Sequence, residues 1–454
     1  MRVYPLDPRE LTQEQIAVTF AMTSRRPEAF DQIRQIVSET KAADFNEKWV
    51  VGYGHASVAE HAVIHMAVED ISRLVCDDLE DNRLASYTEK SSRYQVLDRG
   101  SFHVPLELRD HALKQTYVDA CKGLFDAYYA LIEQATAHLR SVKPQREGER
   151  DRGYKLRLQR EATDSCRFVL PASTLTNVGV TMNARTLEHA ITKLVSSELA
   201  EARELGARLK KQGQGIAPTL VKYADVSDYL IKQRQGPSTA STPAEPMGPS
   251  RVSATLLEHD KQAEVKLATA MLFRADASSY EEARRKAEAL SQEARGGVVE
   301  AALAGIGPFD SPPRELELVE YLFELEMDYG AYREYKRHRM QTYLPQPLTV
   351  ERGYVAPPLL AEAGAAGLFE EAMGMAARAH VRMAELSPAG ASYVVTHAHN
   401  RRLLVKINLR ECYHLLKLRT AAQAHFTIRE LCKQILERIE EKHPLLICFM
   451  HQRK

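Results

Sequence analysis

The chain has 454 residues, in which 61 lysines and arginines balance 61 aspartates and glutamates, so its formal net charge is zero. This balance excludes a strong long-range field for nucleic acid or anionic membranes, and no apolar stretch is long enough to predict a membrane span. The length predicts two large domains or about three smaller ones. The N-terminus lacks an apolar signal region and the six cysteines form no C-x-x-C pair, so we expect a cytoplasmic protein with reduced thiols.

Strand and helix patterns alternate along the chain before residue 232. In chain order, the patterns predict a strand over 16–22, a helix over 27–40, a strand over 61–68, a short helix over 70–83, a long helix over 107–140 and a last helix from Asn183 to about 212. Residues 232–250 are rich in proline, serine, threonine and glycine and predict an extended linker.

After the linker the same order recurs. The patterns predict a strand over 265–273, a helix over 279–302, a strand over 316–323, a short helix over 327–339, a long helix over 359–386 and a last helix from Asn408 to about 441. Any α/β protein shows some alternation, but here Asn183-Ala-Arg185 recurs as Asn408-Leu-Arg410. We therefore predict a tandem duplication, with a first copy at 1–231, the linker at 232–250 and a second copy at 251–454.

A polar cluster follows a glycine-containing turn in the first copy. It reads Gly54-His-Ala-Ser-Val-Ala-Glu-His61 and includes His55, Ser57 and Glu60. His61 and His65 are four residues apart, with Glu60 and Glu69 near, and this spacing would suit zinc on a helix. The segment is more typical of a strand and no third ligand is evident, so we predict no metal. The alternatives are a helix or strand start whose polar side chains satisfy backbone donors, and recognition of a cofactor.

Two further segments combine cations with hydroxyl or imidazole groups. Glu89, Ser91 and Arg93 alternate, so in an extended segment they face one side and could hold a nucleotide; a charged surface loop is the alternative. Arg337-His338-Arg339 ends a predicted helix, where cations are favoured by the helix dipole, and the two guanidiniums also suit a diphosphate.

The last predicted helix of the second copy carries a similar set near its start. Asn408, Arg410 and His414 lie where oriented backbone amides attract anions, and Arg419 follows further along. An ordinary exposed helix face remains the alternative for these residues.

Taken in order, these motifs resemble those of flavin-dependent thymidylate synthases, and the resemblance covers nearly the whole chain as two tandem copies. The order is G-H-x-S-x-x-E-H, R-H-R, E-x-S-x-R-Y, R-x-x-L-P at Arg167–Pro171, then N-x-R and a trailing arginine. The implied fold is α/β (α+β), with each copy a mixed sheet flanked by long helices.

The two copies depart from the family pattern in complementary ways. The first copy has Asp81-Asn-Arg83 in place of Arg-His-Arg and Leu194 in place of the trailing arginine. The second copy has Pro345, Pro347 and Thr349 in place of E-x-S-x-R, Ser392 near the place of Arg167, Glu334 in place of a glutamine and His425 in place of another.

By this resemblance, we expect reductive methylation of dUMP, or of a related pyrimidine nucleotide, to give dTMP. FAD is the expected cofactor, and NADPH and methylenetetrahydrofolate are the expected co-substrates. The residues expected to hold FAD are His55, Ser57, Glu60, Arg337, His338, Arg339, Asn408, Arg410 and His414. Those expected to bind the nucleotide are Glu89, Ser91, Arg93, Arg167 and Arg419, and Arg419 is the expected catalytic residue.

The resemblance also implies one composite site built from both copies, with its twin abandoned, in a homodimer that forms a pseudo-tetramer. A non-catalytic or altered-substrate flavin- or nucleotide-binding homologue is the rival expectation. A nucleic-acid-binding protein is disfavoured by the zero net charge, and no membrane partner is expected.

Overall fold

A computed structural model describes residues 1–235, 247–307 and 309–450. In these residues the strands are β1 Val63–Ser72, β2 Ala85–Glu89, β3 Leu175–Asn183, β4 Ser253–His259, β5 Glu320–Asp328, β6 Gln341–Pro345 and β7 Asn400–Asn408. The α-helices are α1 Gln13–Thr23, α2 Phe30–Ile36, α3 Glu39–Phe45, α4 Arg73–Glu80, α5 Leu113–Val142, α6 Asp151–Cys166, α7 Ala184–Val195, α8 Ala200–Gln214, α9 Asp228–Gln235, α10 Ala263–Ala275, α11 Tyr280–Ala289, α12 Gln292–Leu303, α13 Tyr329–Tyr335, α14 Pro358–Glu362, α15 Ala366–Ala384, α16 Pro388–Ala391, α17 Leu409–Arg419, α18 Phe426–Glu440 and α19 Pro444–Ile447. Most of the predicted linker, residues 236–246, lies outside the described residues.

The strands form two sheets, with the orders β1-β3-β2 and β4-β5-β7-β6. The second sheet buries one face: in β5, Tyr321, Phe323 and Leu325 are at most 1% exposed, whereas Glu320 and Glu324 at alternate positions are exposed. The predicted α+β class is confirmed. The predicted mixed sheets are corrected, because every pairing between these strands is antiparallel. An antiparallel sheet can leave one face to solvent, as the alternation in β5 requires.

The strand registers show that the long strands of the two copies begin at equivalent places. Val63 pairs with Asn183 in the first sheet, and Glu320 pairs with Asn408 in the second. Each copy thus opens its first long strand opposite the asparagine of its Asn-x-Arg element. The tandem duplication predicted from the sequence is therefore visible in the hydrogen bonding of both sheets.

The same register identifies positions at which the two copies differ. Glu89 pairs with Val178 in one sheet, and Pro345 pairs with Leu403 at the equivalent place in the other. Pro345 therefore stands where the first copy has Glu89, as the sequence comparison indicated. A proline in this edge strand removes the carboxylate and one backbone donor together.

The chain divides into two compact units that do not coincide with the two copies. Unit 1 contains Met1–Lys122, Pro171–Pro243 and Val381–Val394, and unit 2 contains Gly123–Leu170, Ala244–His380 and Val395–Lys454. Unit 1 therefore includes Val381–Val394 from the second copy, and unit 2 includes Gly123–Leu170 from the first copy. The division into domains at 1–231 and 251–454 remains a prediction about homologous copies.

Two of the predicted strands are wrong. Residues 16–22 and 265–273 lie in the helices α1 and α10. Short apolar runs do not distinguish a buried strand from a buried helix. The capping box between Thr12 and Gln15 was the signal that a helix begins there.

The remaining predicted elements are present with altered limits. The strands predicted over 61–68 and 316–323 are β1 and β5, which begin after the short 3-10 helices Ala56–His61 and Arg314–Leu318. Each last helix, predicted as continuous, is two helices, α7 with α8 and α17 with α18. Across the described residues, none of the helices combines the length and apolar character that a membrane span requires.

Both Asn-x-Arg elements stabilise the fold. The Asn183 side chain accepts a hydrogen bond from the backbone of Thr186 at 2.8 Å, and Asn408 caps α17 in the same way. Arg185 pairs with Glu60 at 2.5 Å. The asparagine starts the helix, and the arginine ties that helix to the segment before the long strand.

The second copy repeats this arrangement. Arg410 donates to the Pro312 carbonyl and to Glu317, each at 2.8 Å. Glu317 therefore holds the place of Glu60.

We expect Asn408→Ala to lower the stability of the protein by about 1 kcal/mol, because α17 loses its N-terminal cap. Asn408→Asp is the matched control and keeps most of the stability, since aspartate caps a helix about as well. Urea unfolding followed by circular dichroism measures both. Equal losses in the two variants would show that the cap is not the origin of the effect.

Candidate functional site

The predicted site residues fall into both units. Unit 1 contains His55, Ser57, Glu60, Glu89, Ser91 and Arg93, and unit 2 contains Arg167, Arg337, His338, Arg339, Asn408, Arg410, His414 and Arg419. Arg167 belongs to the first copy by sequence, yet it lies in the same unit as Arg419 of the second copy. Unit 2 thus gathers motif residues from both copies.

Arg419, the last residue of α17, donates hydrogen bonds to His338 and Glu334. Its Nε donates to His338 Nε2 at 3.0 Å, its Nη1 to Glu334 Oε2 at 3.1 Å and its Nη2 to the Glu334 carbonyl oxygen at 3.2 Å. The carboxylate and the backbone carbonyl of Glu334, together with the His338 imidazole, therefore fix the guanidinium plane. An arginine held in this way has one orientation before any ligand arrives.

Glu334 contacts a second guanidinium, that of Arg167. Arg167 Nη2 lies 3.6 Å from Glu334 Oε1, and Arg167 Nε lies 3.2 Å from Asp164 Oδ1. The side chains of Arg167 and Glu334 are only 6% and 10% exposed. The result is a chain of charges, Asp164–Arg167–Glu334–Arg419, in which each cation contacts a carboxylate, as buried charges require.

His338 joins this chain in its neutral form. Its Nε2 accepts from Arg419, so the proton is on Nδ1, which lies 3.2 Å from Glu411 Oε1 and donates to it. Burial first, and then the charges of Arg419 and Arg337, lower the pKa of His338 to about 3. His338 therefore positions Arg419, and both ring nitrogens are used within the protein.

His338, Glu411 and His414 are ligand types that could hold a metal ion, and their ligand atoms lie within 4.8 Å of one another. The tautomer argues against it, because Nδ1 of His338 carries the proton that a ligand nitrogen must lose. The sequence-based prediction of no metal site remains a prediction.

Asp328 supports the cluster from the start of α13. Its Oδ1 accepts from the backbone of Ala331 at 2.8 Å and caps the helix. Burial raises the pKa of Asp328 to about 6, opposed by hydrogen bonds from Thr427 and Ala331 and by the charge of Arg167. Its position beside Arg167 was not identified from the sequence, although an acidic residue just before a helix was a usable signal.

A cavity of about 390 Å³ in unit 2 lies beside three of the predicted FAD residues. Asn408, Arg410 and His414 line it, together with Lys417 and the apolar Met340. Asn408 and Arg410 are already used by the fold, as described above. Asp310, Glu317 and Glu411 line the same cavity, and Arg410 pairs with Glu317. The exposed Arg337 and Arg339, just before Met340, add two cations to the neighbouring segment.

In unit 1, Glu89 forms a buried ion pair that the sequence did not reveal. Arg73 Nη1 donates to Glu89 Oε1 at 2.8 Å, and both side chains are 3% exposed. Thr176 donates to the same oxygen at 2.9 Å. Glu89 is thus oriented by Arg73, for which the sequence offered no local signal, because the two residues meet only through the sheet.

The other predicted residues of unit 1 are more exposed. Ser91 accepts from the backbone of Arg93 at 3.2 Å, which fixes the turn after β2. His55 and Ser57 lie at the start of the 3-10 helix Ala56–His61, just after Gly54, whose φ of 75° favours glycine. Glu60 is paired with Arg185 and therefore already has a structural role.

The pKa of His338 predicts how stability depends on pH. Unfolded histidine has a pKa near 6.5, so between about pH 6.5 and pH 3 the unfolded chain binds a proton that the folded site excludes. Stability from this group is therefore lost as the pH falls below about 6.5. We expect His338→Gln to reduce the slope of unfolding free energy between pH 6 and pH 4 by up to about 1.4 kcal/mol per pH unit. Urea unfolding at several pH values measures the slope, and an unchanged slope would contradict a neutral, buried His338.

The comparisons with known proteins agree with this architecture. The family of thymidylate synthase complementing proteins matches residues 9–219 and 255–445. A UPF0159 protein of Chlamydia muridarum is 31% identical over 427 residues, covering 90% of this chain and 81% of that protein. A flavin-dependent thymidylate synthase of Clostridium tetani is 27% identical over 219 residues, covering 47% of this chain and 83% of that enzyme.

Among solved structures, the UMP/dUMP methylase PolB of Streptomyces cacaoi, bound with 5-Br dUMP, aligns with a TM-score of 0.36 and 16% identity, covering 44% of this chain and 94% of that one. The match of the family to two regions that together span most of the chain corresponds to the two copies in the sheets. The chain belongs to the thymidylate synthase complementing protein family, as a tandem duplication of its fold.

Proposed function

We propose that this protein is a flavin-dependent thymidylate synthase-like enzyme that methylates dUMP reductively to dTMP, with methylenetetrahydrofolate as carbon donor and NADPH as reductant. One observation carries the proposal: Arg167 of the first copy and Arg419 of the second both contact the buried Glu334 within unit 2. Two arginines that the family resemblance assigns to the nucleotide are thus brought together from opposite copies.

The residues proposed to hold the diphosphate of FAD are in the same unit. Asn408, Arg410 and His414 line the cavity, and the exposed Arg337 and Arg339 are nearby in the chain to its lining residue Met340. When bound, the flavin supplies hydride transfer, and the protein's own part is to hold and orient it. His338 contributes by fixing Arg419.

The assignment of Glu89, Ser91 and Arg93 to the nucleotide remains a prediction, as does the pairing of two chains into a pseudo-tetramer. The Glu89–Arg73 pair supports a binding role only in that it holds the carboxylate in one place.

A second candidate is a non-catalytic or altered-substrate homologue that binds flavin or a pyrimidine nucleotide. It is favoured by the hydrogen bonds of Arg419, which go to Glu334 and His338. A guanidinium whose charge is offset by a carboxylate stabilises a developing negative charge less than an unpaired one does.

We expect the purified chain to bind flavin, seen as absorbance near the flavin bands, and to release tritium from C5-labelled dUMP only when methylenetetrahydrofolate and NADPH are present. Omission of each component in turn is the control. Bound flavin without dUMP-dependent release would favour the second candidate. A chain that binds no flavin after incubation with FAD would contradict the first candidate and leave, of the second, only a homologue that binds a pyrimidine nucleotide.

We expect Arg419→Ala to lower turnover by about 100-fold or more while flavin stays bound, because an oriented cation at the reacting ring is lost. Arg419→Lys should not restore turnover, since one ammonium cannot replace three guanidinium hydrogen bonds. Arg438→Ala is the matched control, because Arg438 pairs only with the exposed Glu441 among the described contacts. Full turnover in Arg419→Ala would remove the residue from the mechanism.

A further inference from the structure

We propose that Glu334 is a specificity-determining residue that prevents phosphate from binding between Arg167 and Arg419. The ligand of this site is then a pyrimidine whose phosphate, where it has one, is not held by these two arginines. The pyrimidine part of this inference rests on the proposed function, whereas the exclusion of phosphate rests on the charges of the cluster alone.

The first step is the geometry around Glu334. Its two carboxylate oxygens face different guanidiniums, with Oε2 at 3.1 Å from Arg419 Nη1 and Oε1 at 3.6 Å from Arg167 Nη2. Two guanidiniums arranged around one small oxyanion can bind either a phosphate or a carboxylate. Here the anion between them is part of the protein.

The second step is the charge of the cluster. The guanidiniums of Arg167 and Arg419 are matched by the two carboxylates that contact them directly, those of Asp164 and Glu334. A phosphate dianion entering this set meets no excess of positive charge. It must instead displace a carboxylate that is 10% exposed and leave it buried without a partner, which is strongly unfavourable.

The third step is that the carboxylate can be neutralised without dismantling the site. Arg419 Nη2 donates to the backbone carbonyl of Glu334, and Arg419 Nε donates to His338. Both bonds survive the isosteric change Glu334→Gln, and the amide oxygen can still accept from Arg419. The variant therefore keeps the positions of the guanidiniums while removing one negative charge.

The test compares binding of inorganic phosphate, dUMP and deoxyuridine to wild type and Glu334→Gln at pH 7.5. We expect Glu334→Gln to raise the preference for dUMP over deoxyuridine by about tenfold relative to wild type, measured by titration calorimetry of the flavin-loaded protein. We also expect inorganic phosphate to raise the melting temperature of Glu334→Gln more than that of wild type. The general effect of phosphate as a salt is common to both proteins and cancels in the difference.

Two control variants separate charge from shape. Glu334→Asp keeps the negative charge and should gain no phosphate preference. Glu326→Gln removes one of the two carboxylates that pair with Arg402 on the sheet, leaving Glu324, and should also gain none. A gain in either control equal to that of Glu334→Gln would overturn the assignment to the Arg167–Arg419 pair.

The outcomes also separate this inference from the proposed function. If no pyrimidine binds to either protein, the proposed function fails, and the phosphate melting experiment alone decides the inference. A change in preference below twofold, or a shift toward deoxyuridine, overturns it. If Glu334→Gln does not fold, Arg167→Gln decides: an unchanged dUMP preference supports the inference, and a tenfold loss overturns it.

Discussion

The structure of unit 2 depends on one buried carboxylate, that of Glu334. Every residue of α13 is buried, so the helix has no solvent face to which a charged side chain could turn. Glu334 must therefore find its counter-ions inside the protein, and it finds one in each copy, Arg167 and Arg419. Loss of either cation leaves a buried charge less compensated, which costs several kcal/mol in typical cases. The need to pair this charge ties residues 123–170 of the first copy to the second.

One buried ion pair of the first copy is absent as a whole from the second. Glu89 and Arg73 form this pair, and Pro345 holds the place of Glu89 in the second sheet. Tyr329, the first residue of α13, holds the place of Arg73, the first residue of α4, so both charges are absent together. Removing one partner alone leaves an uncompensated buried charge, whereas removing both can be nearly neutral. This difference in cost favours the loss of both partners of a buried ion pair over the loss of one.

The sequence predicted the parts of the fold that local chemistry decides. The asparagines that cap α7 and α17 and the alternation in β5 are readable because each depends on residues close in the chain. The helices α1 and α10 were mistaken for strands because a short apolar run is buried in either conformation. The Arg73–Glu89 pair and the position of Arg167 beside Glu334 were not predictable, since both arise from tertiary packing.

The site residues divide in the same way. Arg419 and His338 were identified by their motifs. Their contact with each other depends on Glu411, which orients the imidazole, and on Glu334, which orients the guanidinium. With its charge offset and its orientation fixed by three bonds, Arg419 is better suited to aligning a ligand than to attracting one from solution. Attraction depends on net charge, whereas alignment depends on hydrogen-bond direction, and only the second is preserved here. A ligand therefore gains little from its own charge at this cluster and most from the shape of its hydrogen-bonding edge.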